Sequence, residues 1–359
     1  MMPVKTTPEP TNPAAAGPGP DLPRPAAPDA NATTTRTIYI ARALRDFGDG
    51  FVAVLLPVYL TALGLGAFEI GMVATASLLG SALMTLGIGL LGARADQRKL
   101  LIAAAILMAV TGLALTGLAV TVPGTLAVLL LIAFVGTVNP SAGSVSIFAP
   151  LEHALLSKSV ADRARTAMFA RYSLIGAMAA AAGALASGSP DLLARFDISR
   201  IAALKLMFVV YAGLGIAAAL LYARLPRAVI TENGKPASAL GPSRGIVFKM
   251  AALFSIDSFA GGFAVQSLLA LWLFSKFGLS LSAAGLFFFW TGVLAAFSFP
   301  VAAWLSTRIG LINTMVYTHI PSSLCLIGAA LAPSLRSCSV CCWCAPRCRR
   351  WMCRRDPRS

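Results

Sequence analysis

Long stretches without a charged side chain dominate this sequence. Phe51 to Phe68, Ile70 to Ala93, Tyr172 to Pro190, Leu206 to Ala223, Ser258 to Ser275, Phe277 to Thr307 and Ile309 to Leu335 each lack Asp, Glu, Lys and Arg. Leu100 to Leu151 is uncharged over 52 residues, and Pro123-Gly124 divides it into two spans. A helix rises 1.5 Å per residue, so about 20 apolar residues cross a hydrocarbon core of about 30 Å. The pattern predicts nine helices starting near residues 40, 69, 99, 125, 167, 202, 250, 281 and 310. Backbone groups in lipid must be satisfied internally, which leaves a helical bundle or a closed barrel. These runs are too long for the ten-residue alternating strands of a barrel. The expected fold class is an all-α membrane protein.

Polar segments set the organisation. Met1 to about residue 37 is rich in Pro, Ala and Thr and reads as a disordered extension. It has no apolar core of a signal peptide. Residues 38–225 hold six helices, and 226–245 have a linker composition around Glu232-Asn233-Gly234-Lys235-Pro236. Residues 246–335 hold three more helices. With the N-terminus inside, the inner segments carry 18 Lys and Arg and the outer ones four: Arg195, Arg200, Lys205 and Lys276. The positive-inside rule therefore places the N-terminus in the cytoplasm, in a cell membrane of bacterial type.

Composition agrees. The chain has 359 residues, 57% hydrophobic and 12% charged, with a mean hydropathy of +0.78. Such values exclude a disordered chain, a nucleic-acid-binding domain and most soluble enzymes. The net charge of +15 is inflated by the last segment, which holds seven of the 29 basic residues and six of the seven cysteines. Cys325 alone precedes it, so no disulfide framework is implied.

The segment 336–359 differs from everything before it. Cys338-x-x-Cys341 has the spacing of metal or redox ligands, yet nine helices from an inside start would put this basic tail outside, against the charge bias. Its codons suggest another origin. Val340-Cys341-Cys342-Trp343-Cys344 read one base away becomes a run of Leu and Val. The expectation is a frameshift near Leu335 in a longer reading frame, with the remaining helices lost and the chain impaired.

The order of helices, short loops and basic turns repeats. Asp49-Gly50-Phe51 in helix one corresponds to Gly261-Gly262-Phe263 in helix seven, Ile70-Gly71 to Ala284-Gly285, and Arg98 to Arg308. Two parallel halves are one transporter plan. The loop Gly92-Ala93-Arg94-Ala95-Asp96-Gln97-Arg98-Lys99 resembles the signature loop between helices two and three of the major facilitator superfamily. Gly92, Asp96, Arg98 and Lys99 fit that motif, and the aromatic-Gly step before the basic pair is missing. The resemblance covers about residues 38 to 335, nine of the family's usual twelve helices, and Ser306-Thr307-Arg308-Ile309-Gly310 is its fainter echo. It implies alternating access by two six-helix halves, with this loop acting as a charge relay that holds the halves together. The drug-antiporter motif of helix five is absent from Tyr172 to Gly188. Independently of the family, Asp96 can cap helix three and Gly92 permits close approach. The simpler alternative is a basic turn that only fixes topology.

Ionisable residues inside spans are functional candidates. Asp46 and Asp49 share a face of helix one, beside Arg45, and Asp257 lies at a comparable depth in helix seven. Either one of them binds a proton or a cationic substrate, or all three sit in the wet first turns of their helices. Asn139-Pro140 breaks helix four and frees backbone groups for a cavity. Glu152 is expected to pair with Arg171 across helices four and five; the alternative is two separate interfacial anchors. His153 alone makes no metal site. Tyr59, Gln266, Trp290 and Thr291 are candidates to line a cavity, although Tyr and Trp also serve as interface anchors. No nucleophile-base set, Walker sequence or metal constellation is recognisable. The expected function is secondary active transport of a small solute, proton-coupled and directed to efflux, by a monomer in the lipid bilayer without a cofactor. A passive uniporter or channel and a non-transporting receptor or scaffold are the alternatives.

Overall fold

The computed structural model describes residues 28–91, 96–117, 125–141, 146–159, 165–226 and 265–310, with single positions between 245 and 256 and at 313 and 317. Gly92, Asp257, the linker after Pro226, the ninth helix apart from Asn313 and Tyr317, and the segment 336–359 lie outside the described residues.

The helices are α1 (Pro28–Ala62), α2 (Ala67–Leu91), α3 (Gln97–Thr116), α4 (Thr125–Val135), α5 (Phe148–Ser159), α6 (Arg165–Ala186), the short α7 (Ser189–Leu193), α8 (Arg200–Ala223), α9 (Gln266–Phe277) and α10 (Leu281–Ile309). Among the described residues five helices are long and apolar enough to cross a membrane. Large apolar side chains such as Leu83, Val110, Leu131, Leu220 and Phe297 face outward, as a lipid-facing surface requires.

One boundary differs from expectation. α1 begins at Pro28, not near residue 40, so residues 28–37 belong to the helix and not to the extension. Pro is tolerated in a first turn, and the Ala-Thr run that follows needs only to continue a helix nucleated by the packed residues beyond it. The fourth helix is interrupted around Asn139-Pro140, as those residues lead one to expect, and forms α4 and α5. The freed backbone groups find partners. The Val138 carbonyl accepts from Ser77 Oγ, and the Pro140 carbonyl accepts from the Ser267 N–H at 3.0 Å. Asn139 Oδ1 accepts from the Ser141 N–H at 2.9 Å.

Glycines decide how closely the helices pack. A Cβ on Gly50 would overlap the Ala180 carbonyl, and one on Gly183 would overlap the Phe47 carbonyl. α1 and α6 therefore cross backbone to backbone. Small residues also bring α6 and α10 together: a Cβ on Gly292 of α10 would come within 2.8 Å of the Ala181 Cβ of α6. The largest core cluster among the described residues includes Phe51, Leu55, Tyr59, Phe208 and Tyr211.

Candidate functional site

α1 carries four ionisable residues on adjacent turns, and the crossings just described seal most of them from water. Asp46 and Asp49 are 1% and 5% exposed. Since α1 starts at Pro28, both lie mid-helix, and the expectation that they occupy a wet first turn is corrected. A mid-helix carboxylate gains nothing from the helix N-terminus and depends on partners.

Arg45 is the centre of the sealed part. Its Nη2 donates to Glu152 Oε2 at 2.7 Å, and its Nε donates to the Tyr222 hydroxyl at 2.9 Å. Glu152, fully buried, also accepts from the Tyr172 hydroxyl on Oε2 and from the Tyr222 hydroxyl on Oε1, both at 2.5 Å. The guanidinium lies 3.9 Å from the Phe148 ring centroid. This cluster draws α1, α5, α6 and α8 together, and every oxygen of Glu152 is engaged. The pairing of Glu152 with Arg171 is thereby corrected: Arg171 is exposed, and its neighbour Tyr172 faces inward. Successive helix residues point about 100° apart, so only one of the two can face Glu152.

Arg42 and Asp46 form the open part. Arg42 Nε approaches Asp46 Oδ2 to 2.7 Å across one turn, close enough for an ion pair but without the alignment of a hydrogen bond. Arg42 Nη1 donates to the Tyr172 hydroxyl at 3.2 Å. Asp46 Oδ1 has no hydrogen-bond partner among the described residues. Asp49 faces the Tyr211 hydroxyl at 3.2 Å; that hydroxyl also stands 3.3 Å from the Thr137 carbonyl, and its single proton serves one of them at a time.

A cavity of about 500 Å³ opens between α1, α6 and α10. Arg42, Asp46, His153 and Tyr172 line its polar side, and Phe288 and Phe299 its apolar side. Of the residues expected to line a cavity, Gln266 and Thr291 do so. Tyr59 does not. It is fully buried in the core, donating to the Leu115 carbonyl at 2.6 Å and packing on Phe208. Trp290 is half-exposed beside Thr291, turned away from the cavity by one helical step. Asn139 is buried at the helix break and absent from the cavity wall.

Asp96, the described residue just before α3, does what its position predicts. Asp96 caps the helix, its Oδ1 accepting from the Arg98 N–H at 3.0 Å. The Arg98 guanidinium donates to the Ala223 carbonyl at the end of α8. Among the described residues these contacts join the start of α3 to the end of α8; Gly92 and the rest of the loop lie outside the described residues. Lys99 is exposed. Tyr222 and Tyr211 escaped sequence reading, because nothing local separates a cluster tyrosine from a packing one. Arg42 had a signal, its spacing of one turn from Asp46. Among the described residues no three of His, Cys, Asp and Glu are grouped to hold a metal ion.

Comparison with known proteins agrees with this architecture. Seven solved chains match. One is a bacterial homolog of the human lysosomal transporter Spinster, in an inward-facing and unoccupied conformation, with a TM-score of 0.62 and 17% identity. The match covers 87% of this chain and 71% of that one, and at this identity it speaks for the fold alone. No curated protein sequence matches. The family model described as Major Facilitator Superfamily matches residues 38–345, running past Leu335. With that model spanning most of its length over a bundle of bilayer-length helices, the chain is a multi-pass membrane protein belonging to the Major Facilitator Superfamily of transporters.

Proposed function

We propose that the protein moves a small solute by alternating access and couples that movement to protons through the acidic residues of α1. The N-terminus and the basic loops face the cytoplasm, and residues 38–225 rock against the helices from 246 onward as two units, working as a monomer in the cytoplasmic membrane. The observation that carries this reading is Asp46: a buried carboxylate on a cavity wall with one oxygen lacking a donor. The charge count supports it. Among the described residues of this cluster Arg42 and Arg45 stand against Asp46, Asp49 and Glu152, so full ionisation leaves one negative charge in excess there. An uncompensated buried charge is costly, and a bound proton removes it. Glu152 is held by three donors, which leaves Asp46, on the cavity wall, as the group able to exchange a proton with the cavity, and Asp49 one turn behind it.

The closed end of the cavity fits an inward-open state. The halves meet where α10 begins: a Cβ on Gly285 would lie 2.6 Å from the Ala184 carbonyl. With the N-terminus inside, that contact is external.

Proteoliposomes with an imposed pH gradient and an internal pH dye test the proposal against a panel of small solutes. The expected result is solute-evoked proton flux, abolished in Asp46→Asn or Asp49→Asn, with Asp257→Asn probing the equivalent position of the second half. Solute movement that ignores the pH gradient and is unchanged in all three variants would overturn proton coupling in favour of a passive uniporter.

A further inference from the structure

With the N-terminus inside, three of the four outer basic residues fall within eleven positions: Arg195, Arg200 and Lys205. They occupy the turn from α7 into α8. There a short 3-10 turn, Ala194–Phe196, ends at Asp197 in the left-handed region, and Ser199 caps α8. Arg195 and Arg200 are exposed, and among the described residues neither forms an ion pair. Asp197, between them in sequence, is exposed and pairs with neither. Asp191, the other acid of this segment, is engaged by Ser282. Topology and local structure both work against these cations. The charge bias of the loops disfavours basic residues on this side, and the positive end of α8 disfavours one in its first turn. An anionic partner offsets both costs.

The apolar neighbours say what kind of anion. Phe196 is 77% exposed, and Leu192 and Ile201, close to it in sequence, are exposed as well. Lys205 shares a stripe of α8 with Ile201 and Val209, spaced four residues apart and both turned outward to lipid. Helix side chains lean toward the N-terminus, which here is the outer end, so the Lys205 stem runs along the apolar face and its ammonium toward the surface. An acidic protein or a soluble anion would leave Phe196 and Leu192 uncovered in water. A phospholipid meets both demands, with its phosphate near the basic side chains and its acyl chains against the apolar ones.

We infer that the turn between α7 and α8 is a binding site for an acidic phospholipid of the outer leaflet, its headgroup held by Arg195, Arg200 and Lys205 and its chains beside Phe196 and Leu192. The choice of leaflet rests on the orientation proposed above, and the lipid class rests on the turn itself. Asp191, which binds the start of α10, lies four residues before Arg195, so the lipid and that contact act on one short segment.

The test uses the full chain in phosphatidylcholine nanodiscs, with Phe196→Trp as a local reporter. Phe68→Trp is the control site, as exposed as Phe196 and followed by Glu69 at the outer end of α2. A minor share of the lipid is replaced by acyl-brominated phosphatidylglycerol or by acyl-brominated phosphatidylcholine. Bromine quenches tryptophan at short range, and the unsubstituted protein supplies the background of the native tryptophans. Phosphatidylglycerol should be enriched about fivefold or more at Phe196→Trp, as a basic residue near the surface provides, and not at Phe68→Trp. Arg195→Gln with Arg200→Gln should remove the enrichment and leave quenching by brominated phosphatidylcholine, which shows that the turn still meets the bilayer. If that double variant does not fold, Arg195→Gln alone, at an exposed residue without an ion pair, should lower the enrichment. Equal quenching by the two lipids at Phe196→Trp, or an enrichment that survives the loss of the arginines, would overturn the inference. Exchanging chloride for glycerol phosphate at constant ionic strength should change nothing; loss of the enrichment there would make this a site for a soluble phosphate and overturn the lipid. Orientation is scored separately, by labelling Ala194→Cys on intact cells with an impermeant maleimide. Enrichment without labelling keeps the lipid and overturns the outer leaflet, and labelling without enrichment keeps the orientation and overturns the lipid.

Discussion

Asp191 Oδ2 accepts both the backbone N–H and the hydroxyl of Ser282, each at 2.9 Å. Asp191 sits in α7, just after α6, and Ser282 opens α10. The carboxylate thus meets free N–H groups and the positive end of a helix distant in sequence. Glycine makes the contact possible, since Gly188 lies against Ser282 with room for a Cβ only at 3.0 Å from its Cα. The pair fastens one end of the interface while the cavity lies further along, toward Arg42 and Phe299.

Asp191→Ala should loosen that end. Ser282 is exposed and Asp191 only partly buried, so the loss is that of a helix cap, about 1 kcal/mol, or roughly fivefold in the population of the open state. A cysteine placed at Ser187, buried at the same contact, reports opening through its labelling rate by a water-soluble maleimide. Faster labelling in Asp191→Ala is the expected outcome. An unchanged rate would show that apolar packing alone closes this end.

The Arg45–Glu152 pair should be the most sensitive point of the first half. Glu152→Ala leaves Arg45 buried, with a charge and hydrogen-bond donors unmatched, at a cost of about 3–5 kcal/mol. Replacing both residues by Met should recover most of that, because the uncompensated charge disappears. Arg171→Ala, next to the cluster in sequence but exposed, should shift stability by no more than about 0.5 kcal/mol. Thermal melting in one lipid nanodisc preparation compares the three. A Glu152→Ala variant as stable as Arg171→Ala would mean that the cluster does not hold α1, α5, α6 and α8 together.

Much of the fold was legible because it depends on length and local chemistry. Apolar runs placed α6, α8 and α10 within a few residues of their observed starts, Asn139-Pro140 marked the break between α4 and α5, and Asp96 announced its cap. The site was legible only in part. Sequence identified Asp46, Asp49 and Glu152 as unusual, since a charge in an apolar run is visible from one residue. It could not pair Glu152, because partners on different helices are fixed by the rotation of each helix about its axis. One step of about 100° separates Tyr172 from Arg171, and Thr291 from Trp290. Charge complementarity favoured Arg171, and packing chose Tyr172. The Asp191–Ser282 contact was invisible for a related reason. It depends on a short turn after α6 that carries no periodic signal.

The α1–α6 crossing yields a sharper test of packing. Gly50 and Gly183 each stand where a methyl group would overlap the facing backbone, whereas Gly71 and Gly213 have nothing within 4 Å of a built Cβ. Gly50→Ala and Gly183→Ala should each cost about 1–3 kcal/mol by forcing the helices apart, and should lower the yield of monodisperse protein. Gly71→Ala and Gly213→Ala should be neutral or slightly stabilising, as alanine favours the helix. Size-exclusion profiles and melting temperatures separate the two groups. Equal behaviour of all four would show that α1 and α6 do not touch backbone to backbone.

Tyr172 joins the sealed cluster to the cavity. Its hydroxyl donates to Glu152 and accepts from Arg42, which holds Asp46, and its ring lines the cavity beneath the Arg42 guanidinium at 4.6 Å. Tyr172→Phe keeps the ring and removes both hydrogen bonds, so it should cost about 1.5–3 kcal/mol, the range for bonds to charged groups. The more telling quantity is coupling. In a double-mutant cycle Tyr172→Phe and Glu152→Gln should interact by about 1 kcal/mol or more, since each removes one end of the same bond. Tyr172→Phe and Ser173→Ala, neighbours in sequence that share no bond, should be additive within about 0.5 kcal/mol. If the first pair were additive as well, Glu152 would be held by Arg45 and Tyr222 alone, and the buried charges would have no hydrogen-bonded path to the cavity through α6.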